Sequence, residues 1–194
     1  YLNGAPRLVQ TFKRQSEQLR VGNRLQHRSI NLIVDVDSDR AGDKRQRKST
    51  LCVVVQHRVN VIKTQVNAMK GIAMSSGEAE YGAIVKGACQ GLGIQSMAAD
   101  WGIVASIKVR SDSSAAIGIS NRLGVGSMRH LSVRHLWVQD KVKNKEIQLE
   151  KQDGKKNVAD LGTKIQSGPM ITSVMGRLGF RFERQPLEGA VKAT

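Results

Sequence analysis

Aromatic side chains are scarce in this 194-residue chain, 4% of it. Those present, Tyr1, Phe12, Tyr81, Trp101, Trp137, Phe180 and Phe182, are scattered rather than repeated along any strand. That argues against a single-strand binder built on stacking platforms, which needs rings at regular spacing. Cysteine is scarcer still. Cys52 and Cys89 lie among apolar neighbours, without CxxC spacing or a nearby His pair, so neither a disulfide framework nor a zinc site is indicated. Two buried thiols in a reducing compartment are expected instead. No apolar run is long: Leu51-Cys52-Val53-Val54-Val55 is the longest, far below the roughly 20 residues of a membrane-crossing helix. Acidic residues are also few, 16 against 31 Lys and Arg, for a formal charge of +15, and a polyanion is the first partner to consider. The apolar share of 40% suffices for one buried core and is too well mixed with the charges for a wholly disordered tail. The chain opens on Tyr1 with nothing resembling a signal peptide behind it, so part of a longer precursor, or a chain recorded incompletely, is expected.

Residues 1 to 30 carry Arg7, Lys13, Arg14, Arg20, Arg24 and Arg28 against Glu17 alone and read as a basic lead-in, the end of a preceding segment. From Asn31 the period becomes two: Leu32, Val34 and Val36 point one way and Ile33, Asp35 and Asp37 the other, as in a strand. After the basic cluster Arg40, Lys44, Arg45, Arg47, Lys48, β-branched stretches at 50–55 and 59–64 suit two further strands of an antiparallel meander. Ser75 and Glu78 have capping-box spacing, and Tyr81, Ile84, Val85, Ala88 and Leu92 recur at helical intervals, which predicts a helix over 78–99. Gly82, Gly87, Gly91 and Gly93 weaken its propensity unless another element packs closely against them. Ile107 and Val109 alternate into Asp112-Ser113-Ser114, a strand running into a helix cap. Leu131, His135, Val138 and Val142 mark a further helix, residues 146–151 a strand, and Asn157 the cap of a short helix containing Asp160. This order predicts an α/β sheet with both antiparallel and parallel pairs, followed over 166–194 by a loosely ordered basic tail.

Four acids stand where chemistry tends to stand: Asp37 at a strand end, Glu80 in the first turns of the long helix, Asp112 at a strand-to-helix junction and Asp160 in the short last helix. Brought together they would raise one another's pKa, and hard divalent cations, Mg²⁺ or Mn²⁺, are the natural remedy. Such ions can activate water against a phosphodiester while the surrounding Lys and Arg hold the phosphates. Taken one at a time, Asp112 and Asp160 also suit capping or surface positions, and Glu80 a first-turn charge favoured by the helix dipole.

Five motifs, in order, resemble the ribonuclease H domain of copia-type retrotransposon Pol polyproteins. They are Val36-Asp37-Ser38-Asp39-Arg40-Ala41-Gly42-Asp43 with Arg47-Lys48-Ser49-Thr50; Ser75-Ser76-Gly77-Glu78-Ala79-Glu80-Tyr81; Asp112-Ser113-Ser114-Ala115-Ala116; Arg129-His130-Leu131-Ser132-Val133-Arg134-His135; and Asn157-Val158-Ala159-Asp160-Leu161-Gly162-Thr163-Lys164. The resemblance covers about residues 31 to 165, and Tyr1-Leu2-Asn3-Gly4-Ala5-Pro6 is similar to the segment joining reverse transcriptase to that domain. It implies a ribonuclease H-like mixed five-stranded sheet flanked by helices, and hydrolysis of the RNA strand of RNA–DNA hybrids with paired Mg²⁺ ions. The implied metal ligands and catalytic residues are Asp37, Glu80, Asp112 and Asp160, with Asp39 behind them and Glu78 as the helix-capping partner. The implied partners are the hybrid and the reverse transcriptase portion of the same polyprotein, in an intracellular setting. Nucleic-acid contacts fall to Arg40, Lys44, Lys48, Ser113, Arg129, His130, Arg134, Lys155 and Lys156, reading the hybrid by shape and backbone.

The chain departs from the pattern at Arg40, where the family usually has Trp, and at Leu51-Cys52 and Gln56-His57-Arg58, where it has glycines, so an irregular first hairpin is expected. Lys155 and Lys156 stand where some ribonucleases H place a product-releasing His. The alternatives are a catalytically decayed or repurposed copy that still binds nucleic acid, and a structural protein docking its basic surface on an acidic partner in a larger assembly.

Overall fold

The computed structural model describes residues 28–42, 45–124 and 136–180. Five strands form one sheet in the order β3-β2-β1-β4-β5. They are β1 (Arg28–Asp39), β2 (Thr50–His57), β3 (Asn60–Ala68), β4 (Ile103–Ser111) and β5 (Gln148–Lys151). β1 pairs antiparallel with β2, and β2 with β3. β4 lies parallel to β1 and β5 parallel to β4. The expected mixed five-stranded sheet therefore forms, with β1 central. The strand begins at Arg28 rather than Asn31 because its parallel pairing with β4 starts there, Arg28 opposite Ile103.

Four α-helices occur among the described residues: α1 (Ser76–Asp100), α2 (Ser114–Asn121), α3 (Trp137–Lys143) and α4 (Gly168–Arg177), with 3₁₀ turns at Gly154–Lys156 and Val158–Gly162. The period-two alternation of β1 decides how they pack. Leu32, Val34 and Val36 are fully buried on the face covered by α1, together with Val53 and Val55 of β2, Ile107 and Val109 of β4, and Tyr81, Ile84 and Ala88 of the helix. Each such large side chain contributes about 1.5–3 kcal/mol on leaving water. Two glycines let α1 come down on the sheet: a Cβ on Gly87 would lie 2.5 Å from Val36 Cγ1, and one on Gly91 2.9 Å from Ile107 Cγ2. The opposite face carries a smaller core of Cys52, Val54, Val158, Ala159, Val174 and Leu178.

Over residues 166–180 that second core corrects the expectation of a loosely ordered tail; the rest of that stretch, 181–194, lies outside the described residues. The stretch begins with Pro169 in the first turn of α4, where a missing N–H costs nothing, and α4 packs on the 3₁₀ turn Val158–Gly162, so that Val174 and Leu178 join the buried cluster that includes Cys52 and Val54. Cys52 is buried as expected, whereas Cys89 is exposed on α1, because the sheet covers only one side of that helix. The first hairpin is irregular: the β2–β3 register shifts between Val55 and Gln56, and Arg58, with no glycine at hand, takes a φ of 56°. Val138 is buried and Val142 packs against the core on α3; Leu131 and His135 lie outside the described residues, as do residues 1–27 of the lead-in.

Candidate active site

Asp37 follows Asp35 on the α4 side of β1 and is 1% exposed. The parallel register aligns Asp35 with Arg110, so two residues further on Asp37 and Asp112 stand level at the same end of neighbouring strands. Asp112 immediately follows β4, and the Ser113 Oγ accepts the Ala116 N–H at 3.2 Å to start α2. On α1, the Ser75 Oγ accepts from Glu78 N at 3.1 Å, and Glu78 Oε2 accepts the Met74 N–H at 2.7 Å. Glu78 is thereby used to fix the helix start, which leaves Glu80, two residues on, to reach the sheet end. Asp37, Glu80 and Asp112 each bring an oxygen to within 4.8 Å of the others.

Asp160 arrives by another route. Asn157 Oδ1 accepts the Ala159 N–H at 3.1 Å while its Nδ2 donates 3.0 Å to Val36 O, stitching the 3₁₀ turn Val158–Gly162 onto β1 one residue before Asp37. Asp160 is not one of the close triad; its carboxyl acts directly on that of Asp37, and both share Lys164, whose Nζ lies 2.9 Å from Asp160 Oδ1 and 3.5 Å from Asp37 Oδ1. The Thr163 hydroxyl donates to Asp37 Oδ2. Local pattern assigns no role to Thr163 or Lys164, although Lys164 stands one helical turn after an acid.

Burial pushes Glu80 up to about 7, with the charges of Asp37 and Asp112 adding to it. Burial likewise raises Asp37 to about 6; the Thr163 hydrogen bond opposes this, Asp160 reinforces it, and Lys164 opposes it. Asp37 Oδ1 and Glu80 Oε2 are buried without a hydrogen-bond donor. Acceptor-only oxygens left without donors and crowded by like charge are the donor set of a hard divalent cation, and the residues present fit one.

The expected nucleic-acid contacts divide. Lys155 and Lys156 are exposed in the 3₁₀ turn Gly154–Lys156, which approaches the acids closely: a Cβ on Gly154 would lie 3.0 Å from Asp112 Oδ2. Ser113 is spent on the α2 cap beside Asp112. Exposed Arg40 donates to Met74 O at 3.0 Å, tying the end of β1 to the start of α1, and Lys48 is half-buried in the β1–β2 connection. Lys44, Arg129, His130 and Arg134 lie outside the described residues.

No family model matches the chain. A curated relative, the retrovirus-related Pol polyprotein from transposon TNT 1-94 of Nicotiana tabacum, is 28% identical over 131 residues, 66% of this chain and 10% of the relative. Solved structures similar to it include an RNase H1 isolated from compost by a metagenomic approach, at 16% identity and TM-score 0.48 over 68% of this chain and 91% of that one. Another is the N-terminal RNase H domain of a Mycobacterium tuberculosis protein, at 13% identity and TM-score 0.45 over 76% and 97%. A third is the prototype foamy virus protease–reverse transcriptase, at 13% identity and TM-score 0.44 over 77% of this chain and 22% of that one. The described chain thus has a central strand flanked by an antiparallel meander and two parallel strands, with acids gathered at one end, and over 66% of its length it is similar to a tenth of a retrovirus-related Pol polyprotein.

Proposed function

We propose that this domain is a metal-dependent endonuclease that hydrolyses the RNA strand of RNA–DNA hybrids, working beside the reverse transcriptase portion of a retrotransposon polyprotein. The observation that carries the reading is the meeting of Asp37, Glu80 and Asp112 oxygens within 4.8 Å, two of these side chains keeping a buried oxygen without a donor. Asp37, Glu80 and Asp112 would hold divalent cations, Mg²⁺ or Mn²⁺, with Asp160 completing the set from the side of Lys164. Bound there, such ions supply Lewis acidity for water attack and for the departing oxygen of a phosphodiester.

The chain's own groups do the rest. Asp37 on β1 and Asp112 after β4 are fixed by a shared strand register, so the carboxylates do not have to be gathered when substrate arrives. Thr163 and Lys164 orient Asp37 and partly oppose the upward shift that burial and Asp160 impose on it. Lys155 and Lys156, on the turn that touches Asp112, hold strand phosphates next to the acids. The 2′-hydroxyl distinguishes the RNA strand from DNA.

Asp37→Asn removes a charge without changing the volume of the side chain. Incubated with a labelled hybrid and Mg²⁺, this variant is expected to lose cleavage by at least about a hundredfold while its circular dichroism stays that of the parent. Full activity in Asp37→Asn refutes the assignment. A parent chain that binds hybrid but cuts it with neither Mg²⁺ nor Mn²⁺ establishes the repurposed copy instead.

A further inference from the structure

On the α4 side of the sheet lies a cavity of about 610 Å³ that none of the acids lines. Five cations surround it: Arg58 at the β2–β3 turn, Arg110 on β4, Lys155 and Lys156 on the 3₁₀ turn, and Arg177 at the end of α4. Ile33, Val158 and Met170 give it an apolar flank. A volume of this size is that of a small-ligand pocket, and with the Arg110 charge offset by Asp35, the four other cations converging on one recess raise its potential above that of the same charges spread over a surface.

The floor is fixed by a buried ion pair. Asp35, 0% exposed, is level with Arg110 in the parallel register. Its two oxygens accept from Arg110 Nε and Nη2, both at 2.7 Å, and Gln56 Nε2 adds a third hydrogen bond at 2.9 Å. A guanidinium gripped along one edge has lost its rotamer freedom beforehand, which is what bidentate recognition of an oxyanion by its remaining N–H groups requires. The walls are tied together as well: Arg177 Nη1 donates to Lys156 O at 3.2 Å, which joins α4 to the turn that touches Asp112. Asp35 and Asp37 are two residues apart on one face of β1, so the floor begins a single side-chain step, about 7 Å, before the acids.

We propose that this cavity is a phosphate-binding subsite that seats the backbone of a nucleic-acid strand as it leaves the acidic centre. The anion chemistry follows from the cavity itself; that the phosphate belongs to a strand rests on the nuclease reading.

The test pairs Arg58→Gln/Arg177→Gln, two rim cations whose loss leaves the Asp35–Arg110 pair intact, with Lys63→Gln/Lys145→Gln, two exposed lysines outside the cavity. Both doubles remove the same charge. Hybrid affinity is measured against salt for each full-length chain without added metal, so that binding is read apart from cleavage. The cavity double is expected to bind at least about tenfold more weakly at moderate salt and to lose about one from the slope of log K against log salt, with the lysine double close to the parent. Equal losses in the two doubles would show charge acting at large and overturn the subsite. In a separate arm, inorganic phosphate and a nucleoside monophosphate are titrated while thermal unfolding is followed. Stabilisation that the cavity double lacks, together with unchanged hybrid binding, would make the site one for free phosphates and overturn the strand assignment. A parent chain without nuclease activity whose cavity double still loses hybrid affinity would sink the nuclease reading and leave the subsite standing.

Discussion

Glu80 and Asp37 show what it means for a folded chain to keep acids where water is thin. Their folded values, about 7 and about 6, lie above their ordinary values of 4.5 and 3.8, chiefly through burial. Between those limits the native state holds protons that the unfolded state has released, so the contribution of these groups to stability is whole at low pH and declines as pH rises through 6 and 7. Without divalent cations, the thermal midpoint is therefore expected to fall between about pH 4 and about pH 7 through these two groups and to level off above that. Glu80→Gln, which cannot ionise, should flatten that fall. Mg²⁺ or Mn²⁺ binds the charged forms, so its stabilisation should be larger at the upper pH than at the lower. A scanning-calorimetry series in which parent and Glu80→Gln share one pH profile would show that Glu80 is not held as described.

Among the elements, α1 gives the sharpest case because four of its five glycines, Gly82, Gly87, Gly91 and Gly93, have different reasons to be there. Gly87 and Gly91 face Val36 and Ile107 at distances no Cβ tolerates, a Cβ on Gly82 would meet Met69 Cε at 3.0 Å, and Gly93 has nothing within 4 Å. Gly87→Ala should therefore destabilise the domain by about 1–3 kcal/mol through overpacking, while Gly93→Ala should stabilise it by about 0.5–1 kcal/mol through helix propensity. Urea midpoints for the two variants moving the same way would contradict this packing of α1 on the sheet. The sequence shows that such glycines need a close neighbour, but only the packed sheet shows which of them have one. The same limit runs through the site. Asp37, Glu80 and Asp112 are legible because each ends or begins a stretch of clear period, and Asn157 because a cap has its own signature. The role of Lys164 and the Asp35–Arg110 pair are not legible, since both depend on which residues of separate segments come level, a matter of tertiary register rather than local pattern. Helix α4 escaped for a different reason: Gly168-Pro169 reads as a break in isolation, yet proline in a first turn is a start.

The molecule as a whole has its acids on one stretch of chain and part of its cover on another. Asp37, Glu80, Asp112 and Asp160 all precede residue 165, the limit of the motif resemblance, whereas Val174 and Leu178, which close the second core over Cys52 and Val54, follow it. A chain cut after residue 165 retains every acid but uncovers that side of β2 and loses the Arg177 bond to Lys156 O. Two buried aliphatic side chains amount to roughly 3–6 kcal/mol at most by transfer arithmetic, against the roughly 5–15 kcal/mol by which domains are stable. The shortened chain should consequently unfold at a midpoint at least about 5 °C lower and expose apolar surface, and its hybrid affinity should drop further than the loss of Arg177, Arg181, Arg184 and Lys192 as bare charges accounts for. Because β1, β4 and α1 position the acids without α4, any of the shortened chain that remains folded should keep Mg²⁺-dependent cleavage. An unchanged midpoint on truncation would mean that α4 lies outside the cooperative unit and that the domain ends where the sequence motifs do.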